Sequence, residues 1–131
     1  MHLSRRAVFF GVIAACALSS FAANAAERKV YEAKAFQAAQ DSGKSILVHV
    51  TAPWCTECKI QKPIVESFAS QPEFQKLTIF DVDFDTQKDA LQALRVPRQS
   101  TIVTFKGKTE TGRIVGVTKR DAIYEAMKKA L

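Results

Sequence analysis

Residues 46–63, I-L-V-H-V-T-A-P-W-C-T-E-C-K-I-Q-K-P, decide the fold. Ile46, Leu47, Val48 and Val50 make an apolar, β-branched run with the composition of a buried strand. Ala52-Pro53 breaks that run, and from Cys55 onward the apolar residues fall at helical spacing through Ile60, Ile64, Val65 and Phe68 to a stop at Ser70-Gln71-Pro72. Cys55 and Cys58 therefore stand three positions apart at the start of a helix. Free backbone N–H groups and the helix dipole favour a thiolate there, which makes Cys55 the expected nucleophile with a depressed pKa. Cys58 lies within reach of it and can close a disulfide. Pro63 falls inside the helix and should kink it.

Outward from this stretch, helices and strands alternate. Val30, Ala33, Phe36, Ala38 and Ala39 predict a first helix from Val30 to Gln40, stopped by Asp41-Ser42-Gly43. It feeds the strand Ser45 to Val50. Leu77, Ile79, Val82 and Phe84 alternate with polar residues as a second strand, and a helix from Thr86 to Leu94 follows with Thr86 as N-cap. Thr101 to Phe105 is a third strand, Lys106-Gly107-Lys108 a tight turn, and Thr109 to Val117 the returning strand of a hairpin. Thr118 is placed to cap a last amphipathic helix carrying Ile123, Met127 and Leu131 on one face. The order predicts an α/β fold with parallel pairing, crossover helices and one closing antiparallel hairpin.

The N-terminus has a different character. Met1 to Arg6 is short and basic, Ala7 to Phe21 is apolar, and Ala23-Asn24-Ala25 is a small-x-small site, the layout of a secretory signal peptide cleaved after Ala25. Residues 26–131 then form one domain with no transmembrane span, in the periplasm. Ile13-Ala14-Ala15-Cys16 resembles a bacterial lipobox, so attachment to the membrane through a lipid on Cys16 is the alternative. Of 19 Lys and Arg residues, the leader holds Arg5 and Arg6, which leaves 17 against 13 acids and a net charge of +4. These charges are interspersed and form no basic stripe, so a nucleic-acid partner is not expected. Only two cysteines remain, both in the C-x-x-C, and a structural disulfide framework is thereby excluded.

Ala52-Pro53-Trp54-Cys55-Thr56-Glu57-Cys58-Lys59, with Pro63 five positions after the second cysteine, resembles the active-site segment of thioredoxin-like proteins. The likeness runs from about Glu27 to Leu131, since the element order agrees and Phe105-Lys106-Gly107 resembles the family's late hairpin. The resemblance implies a thioredoxin-like fold, a central mixed sheet flanked by helices. It also implies thiol–disulfide exchange, with Cys55 attacking a substrate disulfide and Cys58 resolving the mixed disulfide. No cofactor is implied beyond the redox-active Cys55–Cys58 pair. Protein thiols and disulfides and a redox partner are the expected partners, and together with the leader the chain is most similar to periplasmic domains, including those ending membrane electron-transfer proteins. Reduction is the expected direction. Trp54 offers an apolar landing surface, with plain packing as the alternative.

Two departures from the family pattern are visible. Six residues before Cys55, where the family has a buried acid, stands His49, and the family's partnering lysine falls on Asp81. An imidazole facing a carboxylate suggests that Asp81 orients His49 and raises its pKa, with His49 as proton acceptor and donor for Cys58. A satisfied core histidine is the alternative. In the loop facing the cysteines, the family's cis proline aligns with Ser100. A cis bond before serine costs about 3 kcal/mol, so the Gln99–Ser100 bond is expected to be trans and the rim Arg98-Gln99-Ser100-Thr101 to meet the substrate. Glu57 between the cysteines should oppose thiolate formation, while Lys59 and Lys62 nearby act the other way. Two other functions use the same residues: a module in which Cys55 and Cys58 carry Cu(I), and a non-catalytic thioredoxin-like binding domain. No glycine-rich phosphate loop or Ser/His/Asp arrangement suggests nucleotide or hydrolase chemistry.

Overall fold

Seven residues from Ser45 to Thr51 form the central strand, and its side chains from Ile46 to Val50 have no exposed surface at all. A computed structural model describes residues 25–131, and the expected signal peptide, with Cys16, lies up to residue 24 outside the described residues. In chain order the elements are β1 (Glu27–Val30), α1 (Ala33–Asp41), β2 (Ser45–Thr51), α2 (Thr56–Ala69), a single 3₁₀ turn (Pro72–Phe74), β3 (Leu77–Asp83), α3 (Lys88–Leu94), β4 (Thr101–Lys106), β5 (Thr109–Val115) and α4 (Arg120–Lys128). The sheet order is β1-β3-β2-β4-β5. Strands β1, β3 and β2 run parallel, whereas β4 is antiparallel to β2 and β5 is antiparallel to β4.

Both faces of β2 are covered, which explains its near-continuous apolar run. On one face Ile46, Val48 and Val50 join Phe80, Val82, Val103 and Phe105 beneath Phe36 and Ala39 of α1 and Ala90, Leu91 and Leu94 of α3. On the other, Leu47, Ile79 and Ile102 meet Val65 and Phe68 of α2 and Ile123 and Met127 of α4. Helix α2 runs through Pro63 from Thr56 to Ala69. Among the described residues no helix is long and apolar enough to cross a membrane.

Three expectations are corrected. The first helix starts at Ala33 and not at Val30, which ends an edge strand, Glu27–Val30, paired with β3; Val30 is 73% exposed and contributes nothing to the core. The β2–β4 pairing is antiparallel although a helix precedes β4. Helix α3 has seven residues, about 10 Å of rise, less than half the length of a strand of about 23 Å, and it does not carry the chain back along β3. The chain therefore enters β4 at the end of the sheet where it left β3. Neither Thr86 nor Thr118 caps a helix: α3 starts at Lys88 after Gln87, α4 starts at Arg120 after Lys119, and neither has a side-chain cap. Asp83 instead holds the turn ahead of α3, its Oδ1 accepting the N–H groups of Asp85 and Thr86 at 2.8 and 3.0 Å.

The two-sided burial of the sheet sets a stability contrast. Ile102→Ala, at a site 1% exposed, is expected to cost about 2–5 kcal/mol in urea unfolding, and Val30→Ala less than about 0.5 kcal/mol.

Candidate active site

The end of β2 delivers the chain directly to the N-terminus of α2. Cys55 is the N-cap, in extended backbone, and its Sγ accepts the Cys58 N–H at 3.1 Å. Cys55 and Cys58 form a disulfide with their Cα atoms 5.3 Å apart, and both residues are only 1% exposed. When the pair is reduced, the same N–H and the helix dipole face the Cys55 sulfur and favour its thiolate. Trp54 stands beside the pair, 57% exposed, with its indole N–H donated to the Asp85 carboxylate at 3.0 and 3.2 Å and its ring edge-on to Phe84. Packing thus fixes one side of Trp54 and leaves the other as surface. Glu57 reaches both ways: Oε1 lies 3.4 Å from an Arg98 guanidinium nitrogen and Oε2 lies 3.8 Å from Cys55 Sγ.

One turn further along α2, on the same inward face as Cys58, Gln61 is completely buried. Its Nε2 donates to the carbonyl oxygens of Ser100 at 3.1 Å and Val117 at 2.9 Å, and its Oε1 lies 3.0 Å from His49 Nε2. This corrects the expected His49–Asp81 pair. The two residues are register neighbours on β2 and β3, but the Asp81 carboxylate is gripped by both Arg28 nitrogens at 2.7 Å. Arg28 arrives on β1, a strand that the sequence pattern does not reveal. The pKa of His49 is correspondingly pushed down to about 4, not raised: burial is the largest cause, and the raising effects of the Gln61 bond and Asp81 do not offset it. His49 is a neutral imidazole at pH 7.

The loop after α3 lies against the start of α2, through Arg98 on Glu57 and Ser100 on Gln61. Every peptide bond among the described residues is trans, including Gln99–Ser100. Ser100 adopts the left-handed region at φ +54°, and its carbonyl also accepts the Gly116 N–H at 2.9 Å. The expected polar rim is half inside: Ser100 and Thr101 have no exposed surface, and Thr101 Oγ1 donates to the Arg98 carbonyl at 2.6 Å. Arg98 and Gln99 are left at the surface beside the disulfide. Gln61 was the residue that sequence reasoning missed. Its signal was position, since Cys58, Gln61, Val65 and Phe68 make one buried stripe in which a glutamine is out of place.

Two cysteines that open and close at a helix N-terminus, beside an exposed tryptophan, define a dithiol/disulfide protein built on an α/β sheet. The chain belongs to the thioredoxin family, whose model matches residues 27–129. It is 36% identical over 90 residues to the H-type thioredoxin of Fagopyrum esculentum, an alignment covering 69% of this chain and 76% of that protein. Among solved structures, Trxlp from Edwardsiella tarda EIB202 superposes with a TM-score of 0.74 at 39% identity, over 76% of this chain and 96% of that one. The Malassezia sympodialis thioredoxin Mala s 13 shares the fold at 21% identity, with a TM-score of 0.72 over 82% of this chain and 92% of that one. The protein is a thiol–disulfide oxidoreductase.

The site carries two predictions. An unfolded histidine titrates near 6.5 and His49 in the fold at about 4, so the unfolded chain takes up this proton first. The His49 contribution to stability is fully present above pH 6.5 and falls by about 3 kcal/mol as the pH drops toward 4. His49→Val should flatten urea-unfolding stability across that window. At Ser100, φ +54° excludes proline, so Ser100→Pro is expected to cost about 3 kcal/mol or more, whereas Ser100→Gly stays within about 1 kcal/mol of the parent.

Proposed function

We propose that this chain is exported to the periplasm, is cleaved after Ala25, and there reduces disulfides of other proteins. The observation that carries the reading is the Cys55–Cys58 disulfide on the α2 N-cap, with the Cys58 N–H already directed at the Cys55 sulfur. In the reduced protein the Cys55 thiolate attacks one sulfur of the substrate disulfide, a mixed disulfide forms, and the first substrate thiolate leaves. Cys58 then attacks Cys55 Sγ while its proton passes by way of His49 to the departing substrate sulfur. The second substrate thiol leaves, and Cys55–Cys58 closes. Two electrons pass to the substrate, and a reductase must return them.

Two features support reduction as the direction. The Glu57 carboxylate beside Cys55 Sγ opposes thiolate formation, and a pair whose reduced form is little stabilised is the stronger reductant. Neutral His49 adds no positive charge beneath the pair. Trp54, Arg98 and Gln99 provide the exposed surface for the substrate. The basic, apolar and small-residue segments of residues 1–25 support export, with lipid attachment at Cys16 as the second route. A membrane electron-transfer protein is the donor such a location suggests.

Equilibration with glutathione buffers tests the direction. The expected potential lies nearer the about −270 mV established for thioredoxin than the about −120 mV of strong oxidants, and Glu57→Gln should move it toward the oxidising side. Cys58→Ser should accumulate a mixed disulfide with substrate, and Cys55→Ser should abolish exchange. Tight stoichiometric Cu(I) binding without disulfide reduction would overturn the reading in favour of metal delivery. N-terminal sequencing of the exported chain is expected to begin at Ala26.

A further inference from the structure

We infer that Gln61 is the positioning residue of this site, holding His49 in the tautomer whose Nδ1 is an unprotonated base and tying the Ser100 loop to the redox helix. The assignment follows from which atoms can donate. The carbonyl oxygens of Ser100 and Val117 only accept, so the Gln61 group facing them at 3.1 and 2.9 Å is the NH₂, and both of its hydrogens are used. The remaining oxygen only accepts, so His49 Nε2, 3.0 Å away, must carry the ring proton. That leaves Nδ1 as the basic nitrogen. It is buried and finds no hydrogen-bond partner among the described residues. A buried lone pair without a partner is costly, and relay of the Cys58 proton in the proposed reaction is the use that this open nitrogen would have.

Gln61 stands three residues after Cys58 on the inward stripe of α2 and joins four segments: α2 itself, β2 through His49, the entry to β4 through Ser100, and the entry to α4 through Val117. The charged groups acting on His49 lie outside this contact, Arg28 on β1, Asp81 on β3 and Lys62 on α2, so none of them competes for Nε2. Orientation of His49 thus falls to an uncharged amide.

The inference rests on the reading of His49 as the proton acceptor for Cys58, and the test separates the two. The full chain, uniformly labelled with ¹⁵N, is examined by imidazole NMR, with the His49 signals identified by their loss in His49→Gln. A protonated Nε2 and a bare Nδ1 are expected, and a protonated Nδ1 overturns the inference even if no Gln61 variant folds. The second measurement is the rate at which the mixed disulfide with a chromogenic aryl disulfide is resolved. Gln61→Met is expected to mix the tautomers and slow resolution by about tenfold, a larger loss than in the initial attack by Cys55. The Gln61→Met, His49→Gln double variant should be no slower than His49→Gln. Unchanged tautomer and rate in folded Gln61→Met, with His49→Gln still slow, removes the inference and leaves the base reading intact. Unchanged resolution in His49→Gln removes both.

Discussion

A strand covered on both faces cannot pass its polar groups to water. Strand β2 is such a strand, and it holds one histidine between four apolar neighbours, all without exposed surface. Every hydrogen bond that His49 makes must come from within the fold. The partner is supplied by α2, the helix that begins at the cysteines, and the same amide secures the loop opposite them. The redox helix, the central strand and the substrate-facing loop are thus fixed relative to one another by one buried side chain. The apolar layers around it, Leu47, Val65, Ile102 and Ile123, keep that side chain dry.

Electrostatics at this site divide by depth. The ion pairs at the surface, Arg28–Asp81 and Arg98–Glu57, are partly exposed and each contributes little to stability in water. Beneath them the contacts are neutral, a carboxamide with an imidazole and two peptide carbonyls, in a setting where a charge would be costly. Charge is available where a partner docks and withheld where the second sulfur must lose its proton.

Much of this was legible in the sequence, and the misses have physical causes. The β2 run, the change of period at Cys55, and the hairpin around Gly107 are local patterns, which a sequence displays directly. The four residues of β1 carry no apolar alternation because an edge strand with exposed side chains needs none; its pairing with β3 is a long-range fact. Missing β1 hid Arg28, and without Arg28 the Asp81 carboxylate looked free for His49. The Gln99–Ser100 bond is trans, as the sequence suggests, but the burial and left-handed backbone of Ser100 depend on contacts with Gln61 and Gly116 that are far away in the chain.

The short α3 has a consequence for how the protein presents itself. Because the chain turns back at the end of the sheet where β3 finishes, the loops leaving β2, β3 and β5 and entering β4 all gather at the disulfide. Both described ends of the chain lie at the other extremity. Glu27 pairs with Thr78 near the start of β3, the Ala26 N–H is bonded to the carbonyl of Ala69 at the far end of α2, and Leu131 packs in the same cluster as Ala26 and Leu77. An attachment at either end, whether a lipid, a fused domain or a solid support, would leave Cys55 and Cys58 pointing outward from the anchor, free to meet a large folded partner.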